Sequence, residues 1–240
     1  MSAFFGLGDI GEAIAGKLNG EGVEFPLSPV VIFNLGDRRA EQVDEAGMYV
    51  GISPFSFEVE RRFRASIQLQ RLVGHGVPVL VVDMDSYEDR MKNSELSTIG
   101  SIIVEEISEL LKALANSGEG LQHLNGGAHL IFTQKDSNDM ASLALTALRM
   151  TESIKELHVL VMDGSLSPAE ASDIVKRLTM MSVPVSLSYV GNRSIMAEIV
   201  EGRLKLLDND IIQKVLGDRV LDLEPEEAVS VPIPSIERID

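Results

Sequence analysis

Apolar residues recur at intervals of three and four along residues 97–115, the spacing of one face of an α-helix. They are Ile99, Ile102, Ile103, Ile107, Leu110, Leu111 and Leu114. The pattern places four charged residues on the opposite, polar face, namely Glu105, Glu106, Glu109 and Lys112. A helix of nearly 20 residues is about 30 Å long, so this segment is long enough to connect two lobes of a protein.

Short apolar runs alternate with polar or helical segments before this helix. They predict strands at residues 3–5, 30–33, 48–52 and 77–82, and a helix at residues 58–74. A second series follows the long helix. It predicts strands at residues 130–132 and 157–162, helices at residues 140–150 and 168–178, and two strands, residues 183–190 and 195–200, around a turn at Gly191-Asn192. This alternation is typical of an α/β protein with a parallel, Rossmann-like sheet.

The composition of the 240-residue chain narrows the function classes. A formal net charge of -16 argues against nucleic-acid binding, which needs clustered Lys and Arg. The absence of cysteine excludes disulfides and thiolate chemistry. No apolar run approaches the roughly 20 residues of a membrane span, and no secretion signal is visible. We therefore expect a cytoplasmic protein without a membrane span.

A glycine motif of the form G-x-G-x-x-G follows the first predicted strand, at Gly6, Gly8 and Gly11. The N-terminus of the following helix would offer backbone N–H groups to a phosphate. Asp37 follows the second predicted strand, near the place where a dinucleotide fold has its ribose-binding carboxylate. The motif is equally consistent with a nucleotide site and with a purely structural turn.

Two further groups of charged residues invite a functional interpretation. Asp83 and Asp85 follow a buried strand, where paired aspartates can hold magnesium, as in haloacid-dehalogenase-like phosphatases. A polar strand end is the favoured interpretation, because the phosphatase motif normally lies at the start of its domain, whereas here it comes after two or three strands.

The basic cluster on the helix at residues 58–74 is Arg61, Arg62, Arg64 and Arg71. A solvated helix face paired with Glu58 and Glu60 is favoured there over a ligand site. The four histidines lack the spacing of metal ligands, so no metal site is expected.

Residues 51–72 resemble the strand-to-helix segment of FtsZ, the tubulin-like division GTPase, which typically reads close to T-K-P-F-x-F-E-G-x-R-R. The corresponding residues here are Pro54-Phe55-Ser56-Phe57-Glu58 and Arg61-Arg62. Residues 79–85 resemble the family's apolar strand ending in Asn-Asp, and the long helix lies where the family has its central helix. The family's first nucleotide loop is similar to residues 6–11. Its C-terminal domain is similar to residues 144–178, and its partner-binding terminal peptide is similar to residues 233–238.

The chain departs from the family pattern at the residues that carry the chemistry. The phosphate-holding loop G-G-G-T-G-T-G is missing, and the segment between Asp37 and Met48 is too short for the two strands that the family has there. Residues 118–127, after the long helix, contain only one acidic residue, Glu119, and Met84 replaces an asparagine near the guanine base. These departures imply little or no GTP hydrolysis, because a phosphate cradle and a water-activating carboxylate are both needed.

The resemblance implies an FtsZ/tubulin-like protein that self-associates or co-assembles with a filament-forming FtsZ-like partner, with GTP or GDP as its ligand. The candidate cofactor-binding residues are Gly6, Gly8, Asp9, Gly11, Asn34 and Asp37, and no catalytic residue is expected. The implied organisation is a reduced nucleotide-binding-type domain (1–96), a central connecting helix (97–117), a smaller α+β C-terminal domain (118–207), and a terminal helix with a mobile acidic tail (208–240).

Two other classes remain open. A small NAD(P)-dependent oxidoreductase would use the same glycine loop, with Asp37 on the ribose. A non-enzymatic interaction module would use the glycines only as a turn.

Overall fold

The structure of the protein is a computed structural model, and it describes residues 3–37, 39, 46–88, 96–117, 120–124, 126–134, 151–161, 167–179, 185–189 and 196–204. The strands in this part of the chain are β1 (Phe4–Leu7), β2 (Val30–Asn34), β3 (Met48–Ser53), β4 (Val79–Asp83), β5 (Ala128–Gln134), β6 (Thr151–Val161), β7 (Val185–Tyr189) and β8 (Met196–Leu204). The helices are α1 (Gly8–Gly20), α2 (Val59–Val73), α3 (Asp85–Glu88), α4 (Leu96–Ser117) and α5 (Pro168–Thr179), and a 3₁₀ turn spans Gly120–His123.

All eight strands of the described residues belong to one sheet, in the order β1-β2-β3-β4-β5-β8-β6-β7. The first five are parallel neighbours, which confirms the α/β class with a parallel, Rossmann-like sheet. The predicted strand at residues 130–132 lies within β5, which is a parallel neighbour of β4 in this sheet. The predicted helix at residues 140–150 lies outside the described residues, and the domain boundaries stay predictions.

The two strands predicted around Gly191-Asn192 exist, but they do not pair with each other. Strand β7 is a parallel neighbour of β6, whereas β8 is antiparallel to both β5 and β6. The hairpin interpretation is therefore wrong. Alternating apolar and polar residues predict a strand, but they do not specify which strand becomes its neighbour, because pairing depends on the rest of the sheet.

The parallel strands are apolar on both faces because helices cover both. One face packs against α1 and α4 through a core that includes Phe4, Val30, Ile32, Val50 and Leu80. The alternate residues of the same strands point to the other face, where α2 packs against β3 and β4. Buried runs such as residues 79–82 are continuous for this reason, as expected of a parallel sheet covered on both sides.

The connections between neighbouring strands leave the sheet on different faces. The steps from β1 to β2 and from β3 to β4 move one strand in the same direction, yet α1 and α2 lie on opposite faces. The two crossovers therefore have opposite hands, and one has the rare left hand. Where connections from nearby parallel strands diverge in this way, a crevice opens beyond the carboxyl ends of the strands.

Helix α4 is more deeply buried than its sequence pattern predicts. Of the four residues assigned to its polar face only Glu105 is exposed, whereas Glu106, Glu109 and Lys112 are buried. Lys112 Nζ lies 3.0 Å from Glu109 Oε1 and also pairs with Glu21 at the C-terminal end of α1. The solvent exposure that an amphipathic helix predicts for these three residues is therefore wrong, and Lys112 is buried where it pairs with Glu21 beside α1. None of the helices in the described ranges has the length and apolar character needed to cross a bilayer.

Side-chain hydrogen bonds close the outer edge of the sheet at Phe4. Strand β1 has a neighbour only on its β2 side. The side-chain amide of Asn19 donates to Phe4 O at 2.8 Å and accepts from Phe4 N at 3.3 Å. It thereby takes the place of a peptide group from a further strand, a known means of protecting an exposed edge.

Two glycines of the G-x-G-x-x-G motif allow α1 to lie close to the sheet. A Cβ at Gly6 would lie 2.2 Å from Gly11 O, and a Cβ at Gly11 would lie 2.4 Å from Ile32 O. Both contacts are with backbone atoms, which cannot turn away as a side chain can. Any larger residue would therefore push α1 off β1 and β2.

This packing predicts opposite effects for the same substitution at two positions of α1. Gly11→Ala should lower the free energy of unfolding by about 2 kcal/mol or more, because the helix must shift. Gly16→Ala should raise it by about 0.5–1 kcal/mol, because its Cβ enters open space and alanine favours the helix. Urea unfolding monitored by circular dichroism measures both. Equal changes in the two variants would contradict the close approach of α1.

Candidate functional site

Two adjoining cavities lie at the carboxyl ends of β1 to β4, in the crevice described above. The charged cavity has a volume of about 320 Å³ and is lined by Gly8, Asp9, Asn34, Leu35, Gly36, Asp37, Arg39, Arg61 and Arg64. The apolar cavity has a volume of about 290 Å³ and is lined by Ile10, Asn34, Ile52, Ser53, Pro54, Phe55, Phe57, Glu58, Arg61, Met84 and Gly100. Asn34 and Arg61 line both cavities, so the two lie side by side.

The candidate residues of the glycine motif divide into two groups. Gly8 and Asp9 line the charged cavity at the start of α1, and Gly8 has a φ of 74° that disfavours other residues. Gly6 and Gly11 line neither cavity, and the structure gives them the packing role described above. The first-turn N–H groups of a helix have no intrahelical acceptors, so the start of α1 is suited to an acceptor-rich ligand.

The turn after β2 brings Asn34 and Asp37 to the same cavity. Asp37 N donates to Asn34 O at 3.0 Å, and Gly36 has a φ of 95°, which is the pattern of a type II turn. The buried side chain of Gln68 on α2 fixes this turn. Its Oε1 accepts from Gly36 N at 2.6 Å and its Nε2 donates to Asp37 O at 2.7 Å.

Asp37 already has a cationic partner within the charged cavity. Arg39 Nη2 lies 2.5 Å from Asp37 Oδ2, and Arg39 Nε lies 3.0 Å from Oδ1. This hydrogen-bonded pairing lowers the pKa of Asp37. The carboxylate is therefore ionised at neutral pH, and its charge is balanced by the neighbouring guanidinium group.

Arg61 and Arg64 form the wall of the charged cavity that α2 contributes. Both side chains are half-exposed. Arg61 pairs with Glu58, and Arg64 Nη2 lies 3.6 Å from Glu60 Oε1. The predicted pairing with Glu58 and Glu60 is thus confirmed. The arginines also line a cavity, which the sequence interpretation as a solvated face did not include.

The apolar cavity has an aromatic wall. Phe55 is buried and Phe57 is exposed, and their rings stack with centroids 5.0 Å apart and an interplanar angle of 12°. Met84, after β4, and Gly100, in α4, line the same cavity. One face of an exposed ring beside apolar side chains is suited to a flat, uncharged group.

Arg62 joins the carboxyl ends of β3 and β4 behind these cavities. Its guanidinium lies 2.8 Å from Asp83 Oδ2 and 2.6 Å from Asp85 Oδ2, and it donates to Pro54 O. Ser53 Oγ also donates to Asp83. Burial raises the pKa of Asp83, whereas the charge of Arg62 lowers it. The two arginines of the Arg61-Arg62 pair therefore have different roles, since Arg62 is structural and Arg61 faces the site.

This pairing also bears on the phosphatase alternative. The two aspartates that would hold magnesium are both engaged by Arg62, so a cation would have to displace a guanidinium group. Among the described residues no three His, Asp or Glu side chains form a cluster suited to a metal ion. The polar strand end is thus the interpretation that the geometry favours.

Sequence reasoning missed Gln68 as well as the role of the arginines. The buried residues of α2 include Ala65, Gln68, Leu69 and Leu72, which follow the three-four spacing of a helix face. Gln68 therefore occupies a position where an apolar residue is expected. A long polar side chain among the apolar residues of that face is the signal that could have identified it.

Comparison with known proteins supports a fold assignment. No family model matches the chain, and no curated protein matches it by sequence. Solved structures do match it. An FtsZ dimer from M. jannaschii, described as empty, superposes with a TM-score of 0.52 at 15% identity, over 78% of this chain and 66% of that one. A point mutant of the same FtsZ gives a TM-score of 0.51 at 15% identity, over 73% and 65% of the two chains.

Archaeal CetZ proteins give similar values. CetZ from Methanosaeta thermophila has a TM-score of 0.51 at 11% identity, covering 85% of this chain and 72% of that one. A GDP-bound CetZ monomer from Haloferax volcanii has a TM-score of 0.50 at 16% identity, covering 78% and 68%. The chain therefore has an FtsZ/tubulin-like fold, as the sequence resemblance implied. It spans slightly less than two thirds of the FtsZ chains it matches.

The Arg62 network predicts a stability loss that depends on pH. Arg62→Met leaves Asp83 buried without its counter-charge and should cost about 3–5 kcal/mol at pH 7. Without Arg62 the pKa of Asp83 rises further, so the native state retains a proton that the unfolded chain has released. Stability is then lost as pH rises through this raised pKa, and the deficit should be smaller at pH 5 than at pH 7.

Urea unfolding of the wild type and the variant at both pH values measures this effect. The matched control is Arg61→Met, whose exposed ion pair should contribute at most about 1 kcal/mol. An equal loss in the two variants, or a deficit independent of pH, would show that Arg62 does not balance the charge of Asp83.

Proposed function

We propose that this protein is a reduced FtsZ/tubulin-like protein that binds a guanine nucleotide in the two adjoining cavities. It hydrolyses the nucleotide poorly or not at all. It self-associates or co-assembles with a filament-forming FtsZ-like partner. The observation that carries the proposal is the junction of a charged cavity with an apolar, aromatic one. A nucleotide has the same division, with an anionic end and a flat ring system. The combined site is also of the size typical of small-ligand pockets.

The arrangement of the walls suggests an orientation for the nucleotide. The phosphates would lie in the charged cavity near Gly8 and Arg61, and the base would lie in the apolar cavity against Phe57. Asn34, which lines both cavities, would contact the ribose or the first phosphate. Four of the six predicted cofactor-binding residues line the charged cavity, which supports this assignment.

Poor hydrolysis is proposed because no group for activating water is evident near the phosphates. Asp9 and Asp37 are the carboxylates in the lining of the charged cavity, and Asp37 is held by Arg39. In the family, acidic residues after the central helix activate the water, and residues 118–127 contain only Glu119. Phosphoryl transfer depends on positioning and charge stabilisation, so a site without these groups should bind rather than hydrolyse.

Self-association is supported by the fold alone. The matched FtsZ from M. jannaschii was solved as a dimer, and the matched CetZ from Haloferax volcanii as a GDP-bound monomer. Because the fold is compatible with both states, assembly needs a direct measurement.

The nucleotide proposal predicts that freshly purified protein carries or takes up guanine nucleotide. Mass spectrometry of the ligand released by denaturation, followed by calorimetric titration of the emptied protein with GDP, measures this. A nicotinamide cofactor in the released fraction would instead favour the oxidoreductase, in which Asp37 would bind the ribose. Its affinity should then fall in Asp37→Ala. Protein that neither releases nor binds a nucleotide would favour an interaction module.

The assembly proposal predicts oligomers with little phosphate release. Sedimentation velocity over a range of protein concentrations, with and without GTP, should show species larger than the monomer, or co-sedimentation with a filament-forming FtsZ. Phosphate release in the same samples should remain near background. Steady-state turnover comparable to that of a working FtsZ would contradict the hydrolysis prediction, and a monomer under every condition would contradict the assembly prediction.

A further inference from the structure

The turn after β2 uses its backbone N–H groups internally. Leu35 N donates to Ile52 O at 2.8 Å, and Asp37 N donates to Asn34 O at 3.0 Å. Gly36 N, between them, donates to Gln68 Oε1 at 2.6 Å. A phosphate in the charged cavity would therefore have to break one of these bonds to use an N–H group of this turn.

Buried contacts oppose such a rearrangement. Gln68 is 3% exposed, and losing its bonds to the turn would leave a buried amide without partners, which is costly. Leu35 packs directly over Gly51, where a Cβ would lie 2.8 Å from the Leu35 side chain. The turn is thus held from the strand side and from the helix side, and it does not provide an open ring of N–H donors.

Apart from the first-turn N–H groups of α1, the strong donors in the lining of the charged cavity are guanidinium groups. Arg39 already uses its Nε and Nη2 on Asp37. Arg61 and Arg64 are three residues apart on α2, so they share a helix face, and both are 51% exposed. Glu60, the partner of Arg64, is 83% exposed, so this ion pair contributes little. Glu58, the partner of Arg61, is 24% exposed and also accepts a hydrogen bond from Phe55 N, so it keeps a partner when Arg61 turns to a ligand. Both guanidinium groups can therefore exchange a carboxylate for a phosphate, with which Arg forms bidentate hydrogen bonds.

We propose that the guanidinium groups of Arg61 and Arg64 hold the phosphates of the bound nucleotide, in place of a backbone loop after β2. This inference rests on the nucleotide binding proposed above and assigns the phosphate contacts to two side chains. The arginines near the start of α2 then have two roles. Arg62 joins the ends of β3 and β4, and Arg61 and Arg64 bind the phosphates.

The test compares a nucleotide with its nucleoside in variants of α2. Calorimetry with GDP and with guanosine, at one fixed low salt concentration, is applied to the wild type, Arg61→Gln, Arg64→Gln and the double variant. The control is Arg71→Gln, because Arg71 is exposed on the same helix and lines neither cavity. Thermal melting of each variant establishes that it is folded.

The wild type should bind GDP more tightly than guanosine. In the double variant this preference should fall by about 10- to 100-fold, as expected for the loss of charge-assisted hydrogen bonds. Guanosine affinity should be unchanged in Arg64→Gln, because Arg64 lines only the charged cavity, and the control should match the wild type. A double variant that keeps the wild-type preference for GDP would overturn the assignment to these arginines while leaving nucleotide binding intact. A wild type that binds neither GDP nor guanosine would overturn the nucleotide proposal and this inference with it.

Discussion

The site depends on one constraint, which is that the chain leaves β1 and β3 on opposite faces of the sheet. After β1 the chain enters α1 on one face of the sheet, and after β3 it enters α2 on the other. Among the described residues, the turn after β2 lies between these two departures, and a crevice remains beside it. The close contact of Gly11 with Ile32 O holds α1 against the sheet, which keeps one wall of the crevice in place.

Helix α2 organises the other wall through polar groups of three kinds. Gln68, on its inner face, fixes the turn after β2. Arg62, near its start, neutralises Asp83 and joins the ends of β3 and β4. Arg61 and Arg64 are left to face the cavity. The buried polar groups are tolerated because each is hydrogen-bonded, and they make the position of this helix specific in a way that apolar contacts alone would not.

The FtsZ/tubulin-like fold of this chain does not by itself assign its chemistry. The parallel sheet and the long helix α4 belong to this fold, and residues 54–62 resemble the FtsZ segment, whereas the glycine-threonine loop of FtsZ is absent from the sequence. The short turn after β2 uses its N–H groups internally. A fold can keep its architecture while its site changes, because sheet and helix packing depend on buried apolar area and the site depends on a few donors.

The sequence by itself determined β1 to β4 and the helices α1, α2 and α4, because these segments have a clear periodicity or apolar run and clear breakers, but it did not predict the short helix α3. It also identified Gly8, Asp9, Asn34 and Asp37 as candidate site residues, because polar and glycine residues directly after strands must meet at one end of a parallel sheet.

Only the tertiary structure decided which neighbours those elements have. Burial of Glu106 and Lys112, the separation of β7 from β8, the engagement of Asp37 by Arg39 and the holding of the turn by Gln68 all involve contacts between distant parts of the chain. Local periodicity reports how one segment divides into faces, but the environment of each face depends on what packs against it.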